Sequence, residues 1–175
     1  MANNAFIFLN KLVNKGFLLH GSNKKFDIIT PNKKEKLDPR AGKLKAVYAT
    51  NDSLIAMFLA IIAPQKLPLV KGNRKNMISW GYDKIGKIHF ALSPNYYTHN
   101  AFDMGYIYVV EQSIFKPLKK LPHEFYSYEK ITPKEVVFVK PYDFFSIIKP
   151  EIIPVEAIKK AGFHTEEEIK LMGYN

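Results

Sequence analysis

Histidine, glycine and serine follow one another directly after a short apolar segment of the chain. Residues 17–19 are apolar, and His20, Gly21 and Ser22 come next. An imidazole, a backbone without a side chain and a hydroxyl therefore meet where a strand is predicted to end. Because glycine lets a ligand approach the main chain, this run is typical of a small-molecule site.

A second segment carries an aromatic side chain directly before a helix. Residues 45–50 form a short predicted strand around Tyr48. Asn51 or Asp52 is placed to cap a helix that continues through Ile62. The apolar content of this helix is nearly continuous, so we expect it to be largely buried.

A third segment carries two carboxylates on one predicted strand. Residues 124–130 contain Glu124 and Glu129, which are five positions apart. Strand alternation puts residues at an odd spacing on opposite faces. Glu124 then shares its face with Tyr126, and only one of the two carboxylates can point into a cleft unless a bulge intervenes.

In this order the three segments resemble the motifs of the ADP-ribosyltransferase superfamily. The similarity is to its His-Tyr-Glu branch, which includes the poly(ADP-ribose) polymerases and diphtheria toxin. It implies an α+β fold with ADP-ribosyltransferase-like split antiparallel β-sheets and flanking helices. We expect one domain over residues 1–175, with a core at about 17–139, an N-terminal helix and a C-terminal helical tail.

The resemblance implies that the matching residues bind NAD, which is a substrate in this family. His20 matches the histidine that hydrogen-bonds a ribose hydroxyl, and Gly21 matches the glycine whose backbone holds the nicotinamide amide. Ser22 completes this first motif. Tyr48 and Phe58 match the two aromatic residues that frame the nicotinamide ring, although Phe58 stands where the family usually has tyrosine.

The resemblance also assigns the catalytic acid. Glu124 matches the glutamate that bonds the nicotinamide ribose, and Glu129 is the competing choice. Cleaving nicotinamide from NAD builds positive charge on the ribose, which a fixed carboxylate stabilises more than it stabilises the ground state. His20 and Tyr48 complete the implied catalytic set, and Ser53 is a looser match to a serine that contacts the carboxamide.

The charge of the chain bears on its partners. Lysine and arginine number 26 against 16 aspartates and glutamates, a formal net charge of +10. Such a field attracts phosphates, so the basic residues near the motifs can neutralise the NAD pyrophosphate and the acceptor is expected to be an acidic protein or nucleic acid. The basic residues concerned are Lys24, Lys25, Arg40 and Lys45.

Composition excludes several classes of site. The chain has no cysteine, which rules out disulfides and thiolate catalysis, and its histidines lack metal-ligand spacing, so no metal is expected. No apolar run approaches the ~18–20 residues that span a bilayer. The start of the sequence lacks the features of a signal peptide, and a cytoplasmic protein without a membrane partner is predicted.

The leading hypothesis is an NAD-dependent mono-ADP-ribosyltransferase. Two alternatives keep the fold, namely an NAD glycohydrolase and an RNA 2′-phosphotransferase-like enzyme. A non-catalytic basic module that binds nucleic acid or nucleotide is an alternative of another class. The tyrosines at 96, 97, 106 and 108 can stack bases beside lysines, although such patterns more often reflect packing.

Overall fold

The computed structural model describes residues 4–33, 45–70, 73–74, 76–119, 121–162 and 164–174. The protein is α+β with mainly antiparallel sheets, as predicted. Arg40 and most of the lysine-rich segment after Pro31 lie outside the described residues. Among the described residues, no helix is both long and apolar enough to cross a membrane.

Helices and strands do not alternate regularly along the chain. The helices are α1 (Asn4–Asn14), α2 (Ser53–Ile61), α3 (Asn95–Thr98), α4 (Pro141–Phe145), α5 (Val155–Ala161) and α6 (Glu166–Leu171). The strands are β1 (Phe17–Ser22), β2 (Asn32–Lys33), β3 (Lys45–Thr50), β4 (Leu69–Val70), β5 (Asn73–Arg74), β6 (Ile78–Tyr82), β7 (Ile88–Leu92), β8 (Gly105–Glu111), β9 (Lys116–Pro117), β10 (Glu124–Ser127), β11 (Glu135–Val139) and β12 (Glu151–Ile152).

The chain divides into two compact units. The first consists of Met1–Ile61 and Met104–Ser146, and the second of Ile62–Asp103 and Ile147–Asn175. Every described residue that the sequence nominated for the NAD site lies in the first unit. Most of the segment between α2 and β8 belongs to the second unit.

The first unit is built on an antiparallel sheet with the strand order β11-β8-β1-β3-β10-β9, and β2 also pairs with β3. Helices α1 and α2 pack against β1. A hydrophobic cluster lies on the other face and includes Leu18, Val47, Ala49, Tyr108 and Ile131. The sheet is therefore covered by helices on one face and by loop segments on the other.

Two glycines allow α2 to lie very close to the sheet. A Cβ added to Gly21 would come within 2.0 Å of the carbonyl oxygen of Ala56, and one added to Gly105 within 2.0 Å of that of Ala60. No side chain fits at either distance. Gly21, nominated for its approach to a ligand, thus also serves the packing of a helix.

Helix α2 begins and is buried as its sequence predicts. One carboxylate oxygen of Asp52 accepts hydrogen bonds from the N–H groups of Leu54 and Ile55, at 2.8 and 3.1 Å. These bonds satisfy donors that a helix N-terminus otherwise leaves unpaired. The helix ends at Ile61, one residue before the predicted end.

The strand predicted at 124–130 is shorter than expected. Strand β10 ends at Ser127, whose hydroxyl oxygen accepts a hydrogen bond from the N–H of Glu129 at 3.2 Å. This local bond turns the chain away from the sheet. Glu129 is exposed beyond the strand, so the alternation used to place it opposite Glu124 does not reach it.

The second unit holds a β-hairpin and the predicted C-terminal helical tail. Strands β6 and β7 pair antiparallel, and β12 joins β7 in parallel. Gly162 ends α5 with φ of 70°, and Thr165 and Glu168 form a capping box at the start of α6. A small core that includes Ile158 and Ile169 lies between these elements.

The close contact of α2 with β8 can be tested at Gly105. In Gly105→Ala the new Cβ collides with the Ala60 carbonyl, and we expect a loss of about 1–3 kcal/mol in the free energy of unfolding, measured by urea denaturation. Gly81→Ala is the matched control, because its Cβ would meet no atom within 4 Å. Equal stability of the two variants would contradict this account.

Tyr96 makes the second unit sensitive to alkali. Its side chain is fully buried, it accepts a hydrogen bond from Asn76, and burial raises the pKa of its phenol to about 12. Because the unfolded pKa is about 10, its stabilising effect is complete below pH 10 and is lost as the pH rises towards 12.

We expect Tyr96→Phe to reduce the loss of stability between pH 8 and pH 11.5 by roughly 2 kcal/mol, measured by urea unfolding at both values. At pH 8 the variant should be about 1 kcal/mol less stable than wild type, because the Asn76 bond is lost. An unchanged pH dependence would show that Tyr96 ionises normally.

Candidate active site

The three motif residues lie on three neighbouring strands. His20 is on β1, Tyr48 on β3 and Glu124 on β10, and β3 stands between the other two. Glu124 pairs with Thr50, and Tyr126 pairs with Tyr48. Residues directly opposite each other in an antiparallel pair project from the same face, so Glu124 and Tyr48 share a face.

Strands β1 and β3 part almost as soon as they meet. Within the described residues their register consists of one pair, Leu19 with Thr50, whereas β1 and β8 pair over six residues. Nδ1 of His20 lies 2.6 Å from the carbonyl oxygen of Tyr48. Because a carbonyl only accepts hydrogen bonds, Nδ1 carries the hydrogen. The His20 side chain therefore links β1 to β3 where the two backbones do not pair.

His20 and Glu124 do not project from the same face of the sheet. The His20 ring contacts Tyr108 and Phe26, with centroids 6.0 and 6.5 Å away, on the face covered by loops. Phe125 packs against the cluster on that face, so Glu124 projects from the helix-covered face. Strand β3 lies between the strands that carry the two residues, so the opening between β1 and β3 borders His20, whereas Glu124 lies beyond β3.

The position of Glu124 is fixed by the loop that precedes it. The backbone N–H of Asn51 donates to the carbonyl of His123 at 3.2 Å, and Nδ1 of His123 donates to the side-chain oxygen of Asn51 at 2.8 Å. His123 adopts a φ of 73°, an uncommon conformation for a residue with a side chain. The Glu124 side chain is only 8% exposed, so a carboxylate is held at the start of β10 with little freedom.

The nominated hydroxyls have different surroundings. Ser53 is the first residue of α2 and is 2% exposed, and its hydroxyl has no hydrogen-bond partner in the part of the chain that the structure describes. A buried hydroxyl without a partner is costly and suits a site that a ligand completes. The hydroxyl oxygen of Ser22 accepts a bond from the N–H of Lys24 at 3.1 Å and supports a turn.

The nominated aromatics differ in exposure. Tyr48 is partly exposed, whereas Phe58 is fully buried and lies 5.7 Å from the ring of Phe144. Phe58 presents no ring surface to a ligand in this structure. It belongs to the packing of α2 on α4.

The charged residues nominated from the sequence are mainly exposed. Lys24, Lys25 and Lys45 are exposed, and Arg40 lies outside the described residues. Glu129, the competing acid, is exposed beyond β10. Across the described ranges, no group of three or more histidine and carboxylate side chains is arranged to hold a metal ion.

Three residues that position the site were not nominated from the sequence. Thr50 pairs with both Leu19 and Glu124 and accepts a bond from the N–H of Asp52 through its hydroxyl, at 3.0 Å. Asn51 and His123 join the loop after β3 to the loop before β10. Only Thr50 carried a signal, because it lies two residues from Tyr48 and therefore on the same strand face.

Comparisons with known proteins give no relative for this chain. No protein-family model, no curated protein and no solved structure matches it. The function is therefore argued from the arrangement of its own residues.

The unpartnered hydroxyl of Ser53 gives a direct test of the site. We expect Ser53→Ala to leave the free energy of unfolding unchanged or raise it by up to about 1 kcal/mol, because no hydrogen bond to a described residue is lost. The same change should weaken NAD binding about 3- to 10-fold, measured by calorimetry. A destabilised variant with normal NAD affinity would show that Ser53 is purely structural.

Proposed function

We propose that this protein is an NAD-dependent mono-ADP-ribosyltransferase. It cleaves the bond between nicotinamide and ribose and transfers ADP-ribose to a macromolecular acceptor. The observation that carries the proposal is that three motifs from distant parts of the chain lie on neighbouring strands of one sheet. Glu124 and Tyr48 share a face of adjacent strands, and His20 is hydrogen-bonded to the backbone of Tyr48.

The parting of β1 and β3 supports an ADP-ribosyltransferase-like fold with split sheets. Continuing the register from Leu19 and Thr50 would bring Gly21 level with Tyr48, but the backbone pairing stops before that level. The strand edge at Gly21 therefore faces the opening. A flat amide such as that of nicotinamide can pair with backbone groups exposed at such an edge.

Each residue has a defined part in the proposed reaction. The imidazole of His20 is oriented by its Nδ1–H bond to the Tyr48 carbonyl, which directs Nε2 towards a ribose hydroxyl. The ring of Tyr48 packs on the nicotinamide, with stacking of about 1 kcal/mol beyond burial. The carboxylate of Glu124 lies beside the ribose and stabilises the positive charge that develops there.

The bond changes balance without a redox step. Nicotinamide leaves as a neutral molecule with the electron pair of its bond to C1 of the ribose. An oxygen or nitrogen atom of the acceptor then forms a bond to C1 and releases its proton to solvent. Water in place of the acceptor gives NAD hydrolysis, which is the nearest alternative reaction.

Glu124→Gln tests this proposal. Glutamine keeps the size of the side chain and removes its charge, so we expect the release of nicotinamide from labelled NAD to fall about 100- to 1,000-fold, the range for loss of one electrostatic stabiliser. Tight NAD binding should remain, because the loss falls on the transition state.

Two further variants complete the experiment. Glu129→Gln tests the competing acid and should retain activity, as should Glu135→Gln, an exposed carboxylate at the start of β11. If Glu129→Gln abolished nicotinamide release while Glu124→Gln retained it, Glu129 would be the catalytic carboxylate. No nicotinamide release by the wild-type protein under any acceptor condition would refute the function.

A further inference from the structure

An aromatic row crosses the loop-covered face of the sheet from His20 towards the sheet edge. His20 pairs with Tyr108, which pairs with Val136, and Ser22 pairs with Tyr106, which pairs with Phe138. All these residues project from one face. The aromatic row is defined as His20, Tyr108, Tyr106 and Phe138.

Neighbouring rings of the aromatic row lie close to one another, both across the strands and along β8. The centroids of His20 and Tyr108 are 6.0 Å apart, and those of Tyr108 and Tyr106 are 6.3 Å apart with nearly parallel planes. The Tyr106 and Phe138 centroids are 5.2 Å apart. The row therefore links the candidate active site to the edge strand β11.

The aromatic row becomes more exposed towards the edge of the sheet. Tyr108 is fully buried and Tyr106 is partly buried, whereas Phe138 is 58% exposed and Val136 beside it 37% exposed. Edge strands usually carry charged residues rather than an exposed ring. An exposed phenylalanine at the end of a row of neighbouring rings offers a flat apolar surface to a partner.

Exposed lysines lie at both ends of this surface. The hydroxyl of Tyr108 accepts from the N–H of Phe26 at 2.6 Å and donates to the carbonyl of Lys24 at 3.0 Å. These bonds hold the segment with Lys24 and Lys25 beside the row, and burial raises the pKa of Tyr108, which keeps its hydroxyl protonated. Lys140 lies two residues beyond Phe138 in extended backbone and is exposed.

We propose that the aromatic row and its flanking lysines bind single-stranded nucleic acid, which is the acceptor of the ADP-ribose transfer. Bases stack on Phe138 and Tyr106, and phosphates lie near the lysines, as in proteins that bind single strands with aromatic and basic side chains. The acceptor role rests on the function proposed above, whereas the binding does not.

The dimensions and charge suit this partner. Strands β1 and β11 are two strand spacings apart, about 10 Å, a distance that about three stacked nucleotides cover. Asp27 and Asp143 are the carboxylates close in sequence to these lysines, and Asp143 accepts a bond from the backbone N–H of Lys140. The net charge of +10 favours a polyanion.

The binding is tested without NAD by fluorescence anisotropy. The probes are labelled 20-nucleotide single strands of RNA and of DNA with the same mixed sequence. Phe138→Ala should weaken binding roughly 5- to 100-fold, the range for loss of one stacked base. Phe138→Tyr should restore it, because tyrosine keeps the flat ring.

Tyr128→Ala is the matched control, because Tyr128 is 56% exposed and follows β10, four strands from β11 in the sheet order. It should leave binding unchanged. Thermal unfolding of each variant shows whether it is folded. Equal affinity of Phe138→Ala and wild type, or an equal loss in Tyr128→Ala, would overturn the proposed stacking surface.

Salt dependence tests the lysines. Replacing Lys24 and Lys25 together by alanine should reduce the slope of log affinity against log salt by about 1.4, or ~0.7 for each phosphate contact on a single strand. Replacing exposed Lys116 and Lys119 together should leave the slope unchanged. Equal competition by duplex or by polyglutamate would overturn the proposal, because neither offers unpaired bases for stacking.

Labelled NAD separates the two proposals. Transfer of label to the oligonucleotide by wild type, with loss in Phe138→Ala and unchanged NAD hydrolysis in that variant, supports both. NAD cleavage that depends on Glu124 without labelling of any oligonucleotide overturns the acceptor role alone. Oligonucleotide binding through Phe138 without nicotinamide release leaves the binding surface intact and refutes the transferase function.

Discussion

The hydrogen bond from Nδ1 of His20 to the carbonyl of Tyr48 is the contact on which the candidate site depends. It forms where β1 and β3 stop pairing through their backbones. A strand edge that loses its neighbour exposes unpaired donors and acceptors, and a side chain that reaches across limits the separation of the two strands. The opening beside Gly21 thus has one wall set by β1, another set by β3, and an imidazole of fixed orientation between them.

The packing of α2 limits what can enter this opening. Gly21 and Gly105 let the helix backbone approach the sheet so closely that no Cβ would fit. Phe58 is fully buried against Phe144, although the family resemblance implied that its ring forms a second wall for nicotinamide. The same helix begins at Ser53, whose hydroxyl is buried without a partner among the described residues. One helix therefore closes one side of the opening with apolar packing and leaves a polar atom at its N-terminal end.

Local sequence patterns predicted the helices and strands better than they predicted the tertiary contacts between them. The strand around Tyr48, the hairpin of β6 and β7, and the capping box at Thr165 follow from short-range signals, because turn and cap chemistry involves only a few residues. The end of β10 at Ser127 depended on one side-chain bond that alternation does not encode. The parting of β1 from β3, the contact of Gly21 with Ala56 and the burial of Phe58 arise from residues far apart in sequence. The hydrophobic periodicity of a sequence does not predict such long-range contacts, and these contacts determine the shape of the site.

His20 connects two surfaces that lie on opposite faces of the sheet. Its ring belongs to the aromatic row on the loop-covered face, while its hydrogen bond reaches the backbone of the strand whose Tyr48 side chain shares the other face with Glu124. In the proposed reaction, charge develops on a ribose between these faces, with the carboxylate on one side. An acceptor held along the aromatic row would then approach the ribose from the side away from Glu124. This separation lets the carboxylate stabilise the ribose without blocking the path of the acceptor. If the acceptor approached from the face that carries Glu124, it would compete with the carboxylate for the same space beside the ribose.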